Sequence, residues 1–130
     1  GRNSATRNPQ YQELYVRWMQ YGAFTPMMRS HGTDVYREIY YYGKPGEPVY
    51  DALVDAIKLR YRLMPYTYSL SWQVSKNDDS FMRPLMMDFK EDKNVWDMGD
   101  EYMYGRNILV CPVAHPLYTE ERIVRTDELS

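Results

Sequence analysis

The sequence predicts an α/β fold with parallel strands and a large helical content, and three observations carry that reading. Helix-like and strand-like stretches alternate along the 130 residues, the order that a parallel sheet with crossover helices requires. A short apolar run, Phe24-Thr25-Pro26-Met27-Met28, ends abruptly in Arg29-Ser30-His31-Gly32, as a buried strand does where it hands polar side chains to the carboxyl edge of a sheet. No glycine-rich phosphate loop is present, which argues against the nucleotide-binding form of a doubly wound sheet.

Each element can be justified in turn. Residues 1–7 are small, polar and basic and read as a loop, after which Asn8 is placed to cap a helix and Pro9 to occupy its first position. Tyr11, Leu14, Tyr15, Trp18 and Met19 then recur at helical spacing, leaving Gln12, Glu13, Arg17 and Gln20 on the other side, with Gly22 as the stop. Residues 24–31 are the first strand: Pro26 suits its start, and two successive methionines suit burial on both faces. Residues 33–48 form a long loop carrying Tyr36, Tyr40, Tyr41 and Tyr42; loops of that length are uncommon unless functional.

Residues 48–76 hold the strongest periodic signal, traced by Tyr50, Leu53, Val54, Ile57, Tyr61, Met64 and Tyr68. Pro65 cannot donate to the carbonyl one turn back, so a kink or break is expected there. Lys58, Arg60 and Arg62 read as a solvated or inter-helix face. A turn at 77–80 leads to a second strand, 82–89, and a charged connector, 90–100. Its Asp92, Asp97 and Asp100 match no metal-ligand spacing and read as a solvated turn. A helical turn at 101–104, a turn at 105–107 and a third strand at 108–113 follow, with His115 in a proline-flanked surface loop.

Composition narrows the class. With 44% hydrophobic and 26% charged residues and a formal net charge of -2, the chain reads as at most one globular domain without the basic stripe of a nucleic-acid binder. No stretch approaches the roughly 18 apolar residues of a membrane-spanning helix. The single cysteine, Cys111, sits in an apolar run and is expected to be a buried structural thiol. The 14 tyrosines suit either packing or sugar binding, since each has an apolar ring and a polar tip.

His31 is the first candidate for binding chemistry, because ligand-contacting side chains gather where strands end. The alternative is a strand-end histidine satisfied by a backbone carbonyl. Arg29 shares its strand face by parity. Tyr36 and Tyr40 could stack on a sugar ring or pack against a neighbouring loop.

Five blocks, taken in order, resemble glycoside hydrolase family 31: Glu13-Leu14-Tyr15-Val16-Arg17-Trp18-Met19-Gln20-Tyr21-Gly22-Ala23-Phe24, Arg29-Ser30-His31-Gly32, Lys58-Leu59-Arg60-Tyr61-Arg62-Leu63-Met64-Pro65-Tyr66-Thr67-Tyr68-Ser69, Met82-Arg83-Pro84-Leu85, and Tyr104-Gly105-Arg106-Asn107-Ile108-Leu109-Val110-Cys111-Pro112-Val113. The resemblance implies the C-terminal segment of a (β/α)8 TIM barrel, residues 1–105, plus the first strand of the following β-domain within 106–130. Residues 24–31 and 82–89 would be the seventh and eighth barrel strands.

It also implies a glycosidase that acts on O-glycosyl bonds with retention, as α-glucosidases and α-xylosidases of the family do, using two aspartates on earlier strands. Retention places such carboxyls ~5–5.5 Å apart across the anomeric carbon. Neither block is in this chain, so no catalytic residue is assigned; Asp34, Asp51 and Asp88 stand in the wrong contexts. By the resemblance His31 hydrogen-bonds a hydroxyl of the sugar in the cleavage subsite, and Arg29 orients carboxylates from the part of the protein outside this chain. The family motif often continues Arg-Glu-Pro-Trp, whereas here Arg37-Glu38 is followed by Ile39-Tyr40, so no contact from that loop is carried over.

The expected partner is an α-linked oligosaccharide or glycoside, with a lean to the xyloside. No cofactor, metal, nucleic acid or membrane is expected. The isolated chain is expected to be inactive and to self-associate through unpaired barrel edges. Two rival readings are a carbohydrate-binding module built on Tyr36, Tyr40 and Tyr42, and a structural, self-associating fragment.

Overall fold

A computed structural model describes residues 4–118; residues 1–3 of the expected N-terminal loop and 119–130 of the expected β-domain segment lie outside them. Helix α1 (Pro9–Gly22) begins as its sequence dictates. The Asn8 side chain accepts from the N–H groups of Gln10 and Tyr11 at 2.9 and 3.2 Å, and Pro9 takes a position where no donor is missed.

The buried side of α1 is narrower than its apolar stripe. Tyr15, Val16 and Met19 are buried together with Glu13, while Leu14 and Trp18 remain 50% and 63% exposed. Helix α2 (Pro48–Arg62) supplies the other half of this core through Leu53 and Ala56, and Tyr42 from the intervening loop completes it. The Tyr42 ring lies 4.5 Å from that of Tyr15, and its hydroxyl donates to the carbonyl of Tyr36 at 2.8 Å. Burial pushes the Tyr42 phenol well above its ordinary pKa.

The long helical stretch breaks where proline requires it. α2 ends at Arg62, α3 (Met64–Asn77) starts beyond Leu63, and Pro65 falls in the first turn of α3. Asp78, at φ 52°, ends α3 in the left-handed conformation.

The described strands form one three-stranded antiparallel sheet, β1 (Met82–Pro84), β2 (Tyr102–Tyr104) and β3 (Ile108–Val110), in that order, with Met82 opposite Tyr104 and Tyr102 opposite Val110. This corrects five sequence expectations. The described strands pair antiparallel rather than parallel, and the third ends at Val110 instead of running to 113. Only the first three residues of 82–89 pair, and Leu85–Asp88 turns into a short helix, α4, where unbranched Leu-Met-Met favours helix over strand. Residues 102–104 are strand where a helical turn was expected over 101–104. Residues 24–31 join no ladder among the described residues, because a strand is defined by its neighbours and none of those present runs beside it.

A second core links α3 to the sheet through Leu70, Tyr104 and Val110, with Phe24 packed against it. Gly105 makes the close fit possible: at φ 65° it occupies left-handed space, and a Cβ there would come 2.3 Å from the Tyr66 hydroxyl and 2.6 Å from a Leu70 methyl. That hydroxyl donates to the Tyr104 carbonyl at 2.7 Å and accepts from the Asn107 N–H at 3.3 Å. Buried Arg83 is held between Asp79 at 2.6 Å and Asp88 at 3.0 Å, the pairing that a desolvated guanidinium needs. Cys111 is exposed, not buried. Side chains alternate along β3, so burying Val110 turns Leu109 and position 111 outward.

Candidate functional site

The segment that leads to His31 is fixed by side chains rather than by a ladder. Arg60 of α2 donates to the carbonyls of Ala23 (3.3 Å), Thr25 and Pro26 (3.0 Å). From β2, the Tyr102 hydroxyl donates to the Phe24 carbonyl at 2.8 Å and the Tyr104 hydroxyl reaches the Thr25 carbonyl at 3.3 Å. Four successive acceptors, residues 23–26, are therefore satisfied by three side chains from two elements, which meets the demand that buried backbone groups be paired. Burial of the Tyr102 phenol raises its pKa to about 12. Arg60 is thus a carbonyl clamp, not the solvated or inter-helix residue its neighbours suggested.

Beyond the clamp the chain opens. Met27 is 76% exposed, and with Met28, Arg29, Ser30 and His31 it lines a cavity of about 490 Å³ against Leu14, Trp18 and Tyr21 of α1. His31 also borders a second cavity, of about 300 Å³, which Asp34, Tyr36 and Arg37 share. Among the described residues its exposed imidazole has no hydrogen-bond partner, so no backbone carbonyl occupies it. Arg29 lines the first cavity beside it, exposed and without an ion pair among the described residues.

The tyrosine cluster is largely engaged with itself. Tyr36 stacks on Tyr41 with centroids 4.3 Å apart and planes 13° apart, and Tyr40 tilts against the same ring at 4.7 Å. Tyr36 reaches the smaller cavity, 42% exposed; Tyr40, 64% exposed, borders neither cavity. The structure therefore brings His31, Arg29 and Tyr36 to adjoining openings and leaves Tyr40 apart.

Sequence reasoning missed the residues that hold this loop. The Tyr15 hydroxyl donates to the Arg37 carbonyl at 2.6 Å and meets the Ser30 hydroxyl at 2.7 Å; burial pushes its pKa up. The Arg37 guanidinium donates to the Tyr11 hydroxyl, with its Cζ 5.7 Å from that ring centroid. It also lies so close to Gly32 that a Cβ there would stand 2.5 Å from Nε. Gly32 is needed for that approach. The only signal in the sequence was the polar tip of a tyrosine on an otherwise apolar stripe.

The aspartates set aside from the sequence have other partners or places. Asp51 accepts from the Gly46 N–H at 3.0 Å, Asp88 pairs with Arg83, and Asp34 borders the smaller cavity. Asp92 caps a short 3-10 turn through the Asn94 N–H at 2.9 Å. Among the described residues no three His, Cys, Asp or Glu side chains gather as metal ligands, and no helix is long and apolar enough to cross a membrane.

Two family models match the chain, the glycosyl hydrolases family 31 TIM-barrel domain over residues 5–70 and the glycosyl hydrolase family 31 C-terminal domain over residues 78–125. An alpha-xylosidase of Saccharolobus solfataricus is 40% identical over 113 residues, covering 87% of this chain and 15% of that protein. The lysosomal alpha-glucosidase of Mus musculus is 38% identical over 111 residues, covering 84% and 11%. Among solved structures, the GH31 alpha-xylosidase of Xanthomonas citri superposes with a TM-score of 0.78 at 43% identity, over 82% of this chain and 12% of that one. A Flavobacterium johnsoniae GH31 dextranase, in a mutant complexed with isomaltotriose, superposes with a TM-score of 0.73 at 29% identity, over 84% and 13%. The chain thus spans no more than 15% of the length of the first of these relatives.

Proposed function

We propose, from the premise that the chain belongs to glycosyl hydrolase family 31, that it is the closing segment of the barrel of a retaining α-glycoside hydrolase and supplies His31 to the sugar subsite. The observation that carries this is an exposed imidazole, unpartnered among the described residues, at the end of a clamped segment and between two cavities. An imidazole N–H there can donate to a sugar hydroxyl. Such a bond accelerates cleavage to the extent that it strengthens as the ring flattens toward the oxocarbenium-like transition state.

The nucleophile and the acid/base belong to sequence outside this chain, so His31 positions the sugar and breaks no bond itself. Arg29, in the same cavity, orients one of those carboxylates. Tyr36 offers ring surface at the rim of the smaller cavity, which Tyr40, packed on Tyr41, does not reach. The barrel model ends at residue 70 and the C-terminal-domain model begins at 78, and β1, β2 and β3 form one sheet, which supports a boundary between barrel and β-domain ahead of β1 in place of the one expected at 105. Similarity to α-xylosidases and α-glucosidases alike supports an α-xyloside or α-glucoside as substrate.

Assays with aryl α-xylosides and α-glucosides test the reading. The isolated chain is expected to show no turnover above background. In the full-length protein His31→Ala is expected to lower kcat/KM at least about a hundredfold, as removal of a transition-state hydrogen bond does; a loss of only a few-fold would remove the positioning role.

A further inference from the structure

We propose that Tyr15 is a positioning residue for His31, its hydroxyl acting as the staple that closes the loop on which the imidazole is carried. The proposal rests on the reading of His31 as the sugar-binding residue and adds what holds that residue in place. Ser30 and Arg37 bracket His31, and both meet one oxygen: the Tyr15 hydroxyl donates to the Arg37 carbonyl at 2.6 Å and accepts from the Ser30 hydroxyl at 2.7 Å. The donor assignment follows from valence, since the phenol has a single proton and a carbonyl can only accept.

The ends of the stretch have other ties, from Arg60 to the Pro26 carbonyl, Thr25 to the Met27 carbonyl and Tyr42 to the Tyr36 carbonyl, but the bonds at Ser30 and across to the Arg37 carbonyl are made by Tyr15. Among the described residues no backbone-to-backbone hydrogen bond outside helices and strands involves residues 26–37, so the loop takes its shape from side-chain ties. The ties that bracket His31 converge on one face of α1. Tyr11 and Tyr15 lie one turn apart; Tyr11 accepts from the Arg37 guanidinium and Tyr15 holds the Arg37 carbonyl, while Gly32 lets the same guanidinium close over the backbone. The Tyr15 ring is itself pinned in the α1–α2 core against Tyr42, so the hydroxyl is aimed by a rigid support. Tyr15→Phe would keep that ring contact and delete only the oxygen. His31 would then sit on a loop with its closing tie undone, and misplacement of a positioning group is expressed as lost transition-state stabilisation.

The test is a double-mutant cycle in the full-length protein, with kcat/KM on an aryl α-glycoside and the melting temperature measured for each variant. Tyr15→Phe is expected to lower kcat/KM about tenfold in the wild-type background and to change it less than about twofold when His31 is already alanine, since the tyrosine acts through the histidine. Ser30→Ala, on an exposed residue, removes the second arm and is expected to cost about threefold without lowering the melting temperature. Equal losses from Tyr15→Phe in both backgrounds, or wild-type kcat/KM in Tyr15→Phe and Ser30→Ala beside an impaired His31→Ala, would overturn the proposal alone. A harmless His31→Ala would instead overturn the reading on which it rests.

Discussion

The two sides of α1 carry the same kind of residue and meet different fates. On one, Tyr15, Val16 and Met19 are sealed against Leu53, Ala56 and Tyr42. On the other, Leu14 and Trp18 stand open beside Met27. Helical spacing marks both sides as core, so what separates them is not hydrophobicity but whether the chain carries the surface that covers them. Contiguous exposed apolar area of this sort marks a contact face. The family's barrel, most of which lies outside this chain, is the natural cover, and in its absence a second copy is the expected one.

That contrast can be broken by experiment. Leu53→Ala, in the sealed core with no exposure at all, is expected to cost about 3 kcal/mol in denaturant unfolding of the chain. A cost no greater than that of Trp18→Ser would show that the sealed side is not a core. Arg60→Met strips the carbonyls of Thr25 and Pro26 of their shared donor and is expected to cost about 2 kcal/mol, with faster hydrogen exchange confined to the 23–28 region. Asn8→Ala removes the cap common to both sides and should cost about 1 kcal/mol, most of it recovered by Asn8→Ser.

The smallest stability effect is expected on the open side. Trp18→Ser should change the unfolding free energy by less than ~0.5 kcal/mol while shifting the chain toward monomer in sedimentation velocity. A monomeric wild-type chain would contradict the expected self-association, and a loss matching that of Leu53→Ala would mean the open side is covered in solution.

Legibility in the sequence followed the range of the interaction. The cap at Asn8, the break before Pro65 and the turn at Gly105 are local chemistry, and each lies where the residues place it. The clamp on residues 23–26 is not local: Arg60 reaches back 34 residues to Pro26, and Tyr102 and Tyr104 reach back 78 and 79. No periodicity encodes such pairings, so Arg60 read as a solvated or inter-helix face and Tyr102 and Tyr104 only as part of a helical turn. The apolar run at 24–28 read as a strand buried on both faces, whereas Met27 is 76% exposed and no strand pairs with the run among the described residues, because a strand's state depends on partners the run itself does not specify. At Leu85-Met86-Met87 the hydrophobic pattern was ambiguous by nature, and unbranched side chains resolved it toward helix. The family was legible because its blocks are contiguous; His31 was singled out because it stands inside one of them, and its role is the proposal made above.

One hydrogen atom sets the spacing between the third helix and the β2–β3 hairpin. Because position 105 presents no carbon toward Tyr66 and Leu70, the hairpin seats at a depth where a side chain would push both of those residues aside and strain a left-handed backbone, and the phenol that fills the space bonds both flanks of the turn. An insertion or a bulkier residue at that corner would be felt on the far side of the molecule, in how firmly β2 keeps hold of the run that ends at the imidazole.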